Sequence, residues 1–170
     1  EEGLMNLSFL AKTVMESAPI DWSVLEEEIV GKKVLIVTTD AEEGLPLYLE
    51  PSAKDWMRCV LASSTLPLVT RGRIKVNGQW MFDGGYSDGI PFNKAVELGC
   101  KKILVIRTRP SGQHVAQGYL DYIASWMYWW TPKLLRLFEF GFEHYNAKVD
   151  ALNTGGNGDS EWEELAPKVP

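Results

Sequence analysis

The sequence from Gln79 to Gly89 reads Gln-Trp-Met-Phe-Asp-Gly-Gly-Tyr-Ser-Asp-Gly, and the predicted fold is built outward from it. Trp and Phe suit a pleated, half-buried surface, so the residues up to Phe82 are predicted to form a β-strand. The Asn77-Gly78 pair separates this strand from the segment that begins at Arg73, and Asn-Gly in that position predicts a hairpin. Asp83 is therefore expected where a strand ends and a glycine-rich turn begins.

Asp83 has two interpretations. Gly84 and Gly85 let the backbone pass close to another group, and a carboxylate on a rigid strand end beside such a turn is well placed for chemistry. The alternative is an Asx turn that only closes the strand. On spacing alone the Asx turn is the favoured interpretation.

Composition limits the classes of function. The chain has 170 residues, of which 45% are hydrophobic, and its net charge is −6, which fits one globular domain with a substantial core. No block of Lys and Arg is present, so we expect no nucleic-acid partner. The two cysteines, without a secretory signal, favour a cytoplasmic protein. No apolar run reaches the ~18 residues of a membrane span.

The pattern of segments predicts an α/β fold. Lys33 to Thr39 is almost entirely β-branched or apolar and is predicted to be a central strand buried on both faces, with Leu45 to Glu50 as its partner. Lys102 to Arg107 is predicted to be a second buried strand. Because helices and apolar strands alternate, we expect a mainly parallel sheet flanked by helices. The predicted helices before residue 100 are a segment from Leu4 that ends before Pro19, Trp22 to Val30, Ala53 to Ser63, and Pro91 to Gly99.

A C-terminal helical pair is predicted next, joined at Thr131-Pro132. The second helix, from Pro132 to about Leu152, should bury one face. Such stripes usually pack in a core, but Trp and Tyr also favour a membrane interface, so peripheral membrane contact is the alternative. We assign residues 1–152 to the domain and residues 153–170 to a loop and an extended acidic tail. The stripe of the first helix consists of Tyr119, Tyr122, Ile123, Trp126, Met127 and Trp130, and the face of the second of Leu134, Phe138, Gly141, Tyr145 and Val149.

Other chemistry finds little support in the sequence. His114 and His144 are far apart, and neither has a Cys or His at ligand spacing, so we expect no metal and no cofactor. A Ser-His-Asp triad is disfavoured because no Gly-x-Ser-x-Gly segment occurs. Ser63 and Ser64 are interpreted as helix-ending residues that bond to nearby backbone.

Two blocks nevertheless carry a family resemblance. Ala62-Ser63-Ser64-Thr65-Leu66-Pro67 resembles the Ala-Ser-x-x-x-Pro segment of patatin-like phospholipases, and the Asp83-Gly84-Gly85 stretch resembles that family's Asp-Gly-Gly block. The segment that ends in Arg109-Pro110 is similar to the segment after the Asp-Gly-Gly block in bacterial members, and the segment Val37 to Asp40 with Gly44 also matches. The resemblance covers about residues 33 to 110.

The resemblance implies a patatin-like serine acyl hydrolase with a Ser-Asp dyad, in which Asp83 is the base and Gly84 and Gly85 form the active-site turn. The substrate would be a phospholipid or another acyl-ester lipid. The family's nucleophilic serine and oxyanion loop have no counterpart in this sequence, so we expect this chain to be the C-terminal part of such a domain, with the serine upstream, and to be inactive alone. The rival hypothesis is a non-catalytic lipid- or protein-binding module on the same scaffold. We also expect the isolated chain to self-associate through uncovered strand edges.

Overall fold

A computed structural model of the chain describes residues 6–17, 19, 21, 24, 30–70, 72–110 and 112–154. The strands are β1 (Ile36–Asp40), β2 (Pro46–Leu49), β3 (Ile74–Val76) and β4 (Gln79–Asp83). The helices are α1 (Leu7–Ser17), α2 (Trp56–Ser63), α3 (Gly85–Asp88), α4 (Phe92–Glu97), α5 (Tyr119–Met127) and α6 (Pro132–Asn153). Most of the helix predicted over residues 22–30, and all of the tail after residue 154, lies outside the described residues.

The sheet is antiparallel, and the prediction of a mainly parallel sheet is wrong. Its four strands lie in the order β2-β1-β4-β3, and each neighbouring pair runs antiparallel. Two of the three pairs are hairpins, closed by the turn between Asp40 and Pro46 and by Asn77-Gly78. Such short connections permit only antiparallel neighbours, whereas parallel strands require a long crossover.

The Asn77-Gly78 hairpin is confirmed. Val76 pairs with Gln79 across the turn, and φ is 49° at Asn77 and 87° at Gly78. Both central residues therefore adopt the left-handed conformation that a two-residue hairpin requires. Asp83 ends the second strand of this hairpin, as predicted.

Of the two segments predicted to be buried strands, one forms a strand and the other does not. β1 is an inner strand of the sheet, paired with β2 on one side and β4 on the other, although it starts at Ile36 rather than Lys33. The segment from Lys102 to Arg107 forms no strand among the described residues. Leu104 is 69% exposed and Ile106 87% exposed, so this apolar run is not a buried strand. Apolar composition without a pairing partner does not make a strand, which is why the prediction fails.

β4 separates two hydrophobic clusters, because consecutive residues of a strand point to opposite faces. Met81 packs with Cys59, Ala62 and Val76 under α2. Phe82 packs on the other side in a cluster with Ala41, Ala124, Leu134 and Phe138, which joins the sheet to α5 and α6. Asp83, the next residue, ends β4 and leads into the Gly84-Gly85 turn.

The helices correct two expectations in the first half of the chain. α2 begins at Trp56 rather than Ala53, because Ser52 donates from its backbone N–H and its hydroxyl to Oδ1 of Asp55, both at 2.7 Å, and closes a turn there. Cys59 on α2 is buried, whereas Val60 is exposed. α1 and α4 confirm their predicted helices.

The C-terminal helical pair is confirmed, but the predicted apolar face is buried on α6 and largely exposed on α5. Leu134, Phe138 and Val149 on α6 are buried, as the periodicity predicts. On α5 the buried residues are Ala124 and Ser125, and the favoured interpretation of the aromatic stripe as core is wrong. Small residues allow α5 to approach its neighbours closely, so the large rings remain outside.

No described helix is long and apolar enough to cross a membrane. The aromatic surface consists of Tyr119, Tyr122, Trp126, Trp129 and Trp130, which are 64–78% exposed.

Candidate active site

Asp83 is fixed by backbone contacts on both sides. Its N–H donates to the carbonyl of Thr65 at 2.9 Å, and its own carbonyl accepts a hydrogen bond from Thr39 Oγ1 at 2.7 Å. The N–H of Gly85 donates to Asp83 Oδ1 at 2.7 Å. This last contact is the geometry of an Asx turn, so that interpretation of the local backbone is correct. Among the described residues no donor bonds to Oδ2, so the turn leaves one carboxylate oxygen available for chemistry.

The surroundings of Asp83 raise the pKa of its carboxyl group. Burial raises the pKa of the Asp83 carboxyl above its usual range, and the hydrogen bond from Gly85 opposes this shift only in part. Desolvation disfavours the charged form of a carboxyl group, and a raised pKa makes the carboxylate a stronger base. The Asx turn and the chemical interpretation are therefore compatible: one oxygen orients the group while the other stays free.

The two glycines that follow Asp83 lie close to neighbouring atoms, which leaves little room for a Cβ. A Cβ on Gly84 would lie 2.3 Å from the Val37 carbonyl oxygen and 2.9 Å from the Thr38 nitrogen, a spacing that no other residue tolerates without a shift of backbone. A Cβ on Gly85 would lie 3.1 Å from Asp83 Oδ1. The turn is thus seated directly on β1, which confirms the predicted role of these glycines in close packing.

Asp88, five positions further on, is a second carboxylate that sequence reasoning missed. It is 4% exposed, accepts a hydrogen bond from Tyr48 at 2.5 Å through Oδ2, and forms an ion pair with Lys148 through Oδ1. Burial, with Asp88 as the next cause, raises the pKa of the Tyr48 hydroxyl above its usual range. We call Tyr48, Asp88 and Lys148 the Asp88 cluster. No sequence spacing links these three residues, because they come from β2, α3 and α6.

A cavity of about 970 Å³ opens beside Asp83. This volume lies in the range of small-molecule sites, about 300–1,000 Å³. Its lining is largely apolar, from Ile90, Phe138 and neighbouring residues, with charged groups from Asp83, Asp121 and Arg107. The segment of residues 103–109, which was predicted in part as a buried strand, lines this cavity instead.

Tyr86 connects the Asp83 turn to α5. Its ring packs edge-on against Phe82 and Phe138, with centroid distances of 5.6 Å and 5.2 Å. Burial, followed by the charge of Asp121 and a hydrogen bond to it, raises the pKa of the Tyr86 hydroxyl above its usual range. Tyr86 therefore remains a neutral hydrogen-bond donor at physiological pH. No sequence pattern indicates this contact, because it joins residues far apart in the chain.

The remaining sequence candidates lie elsewhere or act structurally. His114 is exposed and contacts Asp150 at 2.7 Å, and His144 is exposed on α6, so neither histidine bonds to a serine among the described residues. Ser64 donates to the Val60 carbonyl at 3.0 Å, which confirms its role at the end of α2. Within the described ranges, no three acidic, His or Cys side chains cluster in a way that could hold a metal ion.

The chain is similar in sequence to a bacterial protein over much of its length. It is 26% identical over 125 residues to a protein of Escherichia coli (strain K12) described as "Uncharacterized protein YjjU". The match covers 73% of this chain and 35% of that protein, so the chain spans about a third of the length of its relative. No family model matches the chain, and no solved structure matches it.

Proposed function

We propose that the chain is part of a patatin-like lipid acyl hydrolase in which Asp83 is the general base. The observation that carries this proposal is the state of Asp83 itself. It is a half-buried carboxylate with a raised pKa, oriented through one oxygen by Gly85, without a described partner on the other, and lining a largely apolar cavity. The order of the Ala62–Pro67 and Asp83–Gly85 blocks in the sequence supports the same assignment.

The proposed chemistry uses a serine that lies in the longer protein, outside this chain. Oδ2 of Asp83 accepts the serine hydroxyl proton while the serine oxygen attacks the ester carbonyl of the lipid. The ester bond then breaks, the alcohol leaves with a proton, and an acyl-serine remains. Water hydrolyses the acyl-serine to a free carboxylic acid and regenerates the serine. A base with a raised pKa suits this task, since proton transfer is most effective when the pKa approaches the working pH.

The substitution Asp83→Asn in the full-length protein tests this role. It should lower ester turnover at least about a hundredfold, the low end for a positioned base, because an amide cannot accept the proton. Turnover of a p-nitrophenyl ester is the measurement, with circular dichroism to show that the fold is retained. Asp55→Asn is the matched control, since Asp55 only closes the turn before α2 and its loss should leave turnover unchanged.

Two outcomes would count against the assignment. Activity within about threefold of wild type for Asp83→Asn would show that Asp83 is a turn residue only, and would favour the rival, a non-catalytic binding module. Hydrolysis by the 170-residue chain alone, with labelling by a fluorophosphonate, would reveal a nucleophile within this chain.

The aromatic surface supports a lipid substrate. Its five rings are each at least 64% exposed. Trp and Tyr are favoured at the boundary between head groups and acyl chains, so we propose that this surface meets the bilayer. Tyr128, in contrast, is only partly exposed and packs against the cluster around Phe138.

The double change Trp126→Ser with Trp129→Ser tests this contact. Both rings are exposed, by 74% and 67%, so the melting temperature should change little while binding to phospholipid vesicles weakens several-fold. Vesicle sedimentation gives the binding. Tyr128→Ser provides the contrast, because truncation of a core-packed ring should lower stability. Unchanged sedimentation of the double variant would remove this surface from the proposal.

A further inference from the structure

Two arginines approach one tyrosine ring at the cavity. The guanidinium carbons of Arg107 and Arg109 each lie 5.8 Å from the ring centroid of Tyr145. Arg107 also donates from a terminal nitrogen to the Tyr145 hydroxyl at 3.3 Å. The two arginines are two positions apart in the segment of residues 103–109. All three residues line the cavity that Asp83 faces.

No described carboxylate balances either of these positive charges. In the part of the chain that the structure describes, every ion pair involves a lysine or His114, and none involves Arg107 or Arg109. The Nε atom of Arg107 is buried, and no described group accepts a hydrogen bond from it. A half-buried guanidinium without a carboxylate is costly, since buried charges are normally paired. The two arginines therefore bring positive charge to the cavity that no described carboxylate pairs with.

The Tyr145 ring packs against Gly89, the residue that follows α3. A Cβ on Gly89 would lie 3.0 Å from a ring carbon of Tyr145, so the ring is packed directly against the end of that helix. On α6, a Cβ on Gly141 would lie 3.1 Å from the Tyr86 carbonyl oxygen, which shows that α6 is pressed against α3. The positions of the arginines and of Asp83 are thus coupled through a rigid contact.

We propose that Arg107 and Arg109 form an anion subsite that binds the phosphate of the lipid substrate's head group, an inference that rests on the proposed function. Arginine presents donors in a planar fork that matches phosphate oxygens, and a ring behind the fork restricts its motion. The apolar lining of the same cavity accepts acyl chains. A lipid with a phosphate head group thus meets both kinds of surface that the cavity offers.

Calorimetric titration of the full chain with dihexanoyl phosphatidic acid tests the subsite, with dihexanoylglycerol as the neutral lipid of the same chains. The phosphate-bearing lipid should bind at least about tenfold tighter, equivalent to about 1.4 kcal/mol. Arg107→Gln should remove most of this preference, and Arg109→Gln should reduce it several-fold. Binding of dihexanoylglycerol should not change in either variant. Circular dichroism checks the fold, and Arg109, which is exposed, carries the test if Arg107→Gln unfolds.

Arg73→Gln is the matched control. Arg73 also stacks on an aromatic ring, with its guanidinium carbon 4.9 Å from the Trp80 centroid, but it does not line the cavity. Its substitution should leave both affinities unchanged. An equal loss of affinity in Arg73→Gln would show that only general charge matters and would overturn the proposal.

Two further results would overturn the subsite. One is equal affinity for the charged and neutral lipids. The other is binding of inorganic phosphate as tight as that of the phosphate-bearing lipid, which would indicate a site for free phosphate. Because binding is measured without turnover, the result is separate from the test of Asp83. If the Asp83 test fails, the charge-dependent lipid site can still stand. If the binding test fails, the assignment of Asp83 as the base can still stand.

Discussion

Asp83 ends β4 and Asp88 ends the short helix α3 that follows it, yet their surroundings are opposite. Asp88 is almost fully buried, with Tyr48 on one oxygen and Lys148 on the other. Asp83 is half-buried, and in the described part of the chain its carboxylate bonds only to the N–H of Gly85, through one oxygen. The difference teaches that two carboxylates five positions apart can be held in unlike ways, one by partners from two other elements and one by the backbone of its own turn. Partners on both oxygens fit a structural role for Asp88, and the single described partner of Asp83 is consistent with the base that we propose.

The largest stability effect should come from breaking the Asp88 cluster. Lys148→Met leaves Asp88 buried without its charge partner and should lower the free energy of unfolding by about 3–5 kcal/mol. Denaturant unfolding is the measurement. Lys12→Met is the control, because Lys12 forms an exposed pair with Glu16 and its loss should cost less than about 1 kcal/mol. Adding Asp88→Leu to Lys148→Met should restore much of the loss. A loss for Lys148→Met no larger than that of the control would show that the pair contributes little.

A smaller effect is expected from the turn that separates the two carboxylates. Gly84→Ala places a methyl group against the backbone of β1 and should cost about 1–3 kcal/mol, the range for overpacking. Gly99→Ala would be a poor control, because φ at Gly99 is +84° and alanine would be strained there. Gly85→Ala is the control, because its added Cβ meets only the side chain of Asp83. We expect Gly84→Ala to lower the melting temperature more than Gly85→Ala, and the reverse order would contradict the seating of the turn on β1.

The smallest effect concerns the pH dependence of stability. The pKa of Asp83 is raised in the folded chain, so the native state keeps its proton where the unfolded state has lost it. The free energy of unfolding should therefore fall as pH rises from the ordinary aspartate pKa through the raised value. Asp83→Asn should remove this slope and raise the melting temperature slightly at neutral pH.

Asp55 supplies a control of opposite sign for this titration. The hydroxyl of Ser52 and, next, its backbone N–H lower the pKa of Asp55, so this carboxylate stabilises the fold above its unfolded pKa and loses that effect as pH falls. Asp55→Asn should thus lower the melting temperature at neutral pH. Thermal unfolding of both variants between acidic and neutral pH gives the comparison. The same direction of change in both would contradict the assigned shifts.

Local signals predicted part of this molecule well. The Asn77-Gly78 hairpin, the position of Asp83 at a strand end and the buried face of α6 all follow from nearest-neighbour chemistry or helical period. Local signals did not predict the direction of the strands, the exposure of residues 104 and 106, or the outward orientation of the α5 rings. These features depend on which other segment of the chain covers each one. The Asp88 cluster and the Tyr86–Asp121 contact were missed since they join residues distant in sequence.

The Asn77-Gly78 turn also sets the position of Asp83, the proposed base, five residues beyond it. Register in a hairpin is fixed by the turn, and a shift of one residue exchanges the two faces of a strand. Such a shift in β4 would exchange Met81 and Phe82 between the two clusters and turn the site of Asp83 away from the cavity. Insertion or deletion of a single residue in this exposed loop would therefore displace the proposed base, although the loop does not line the cavity.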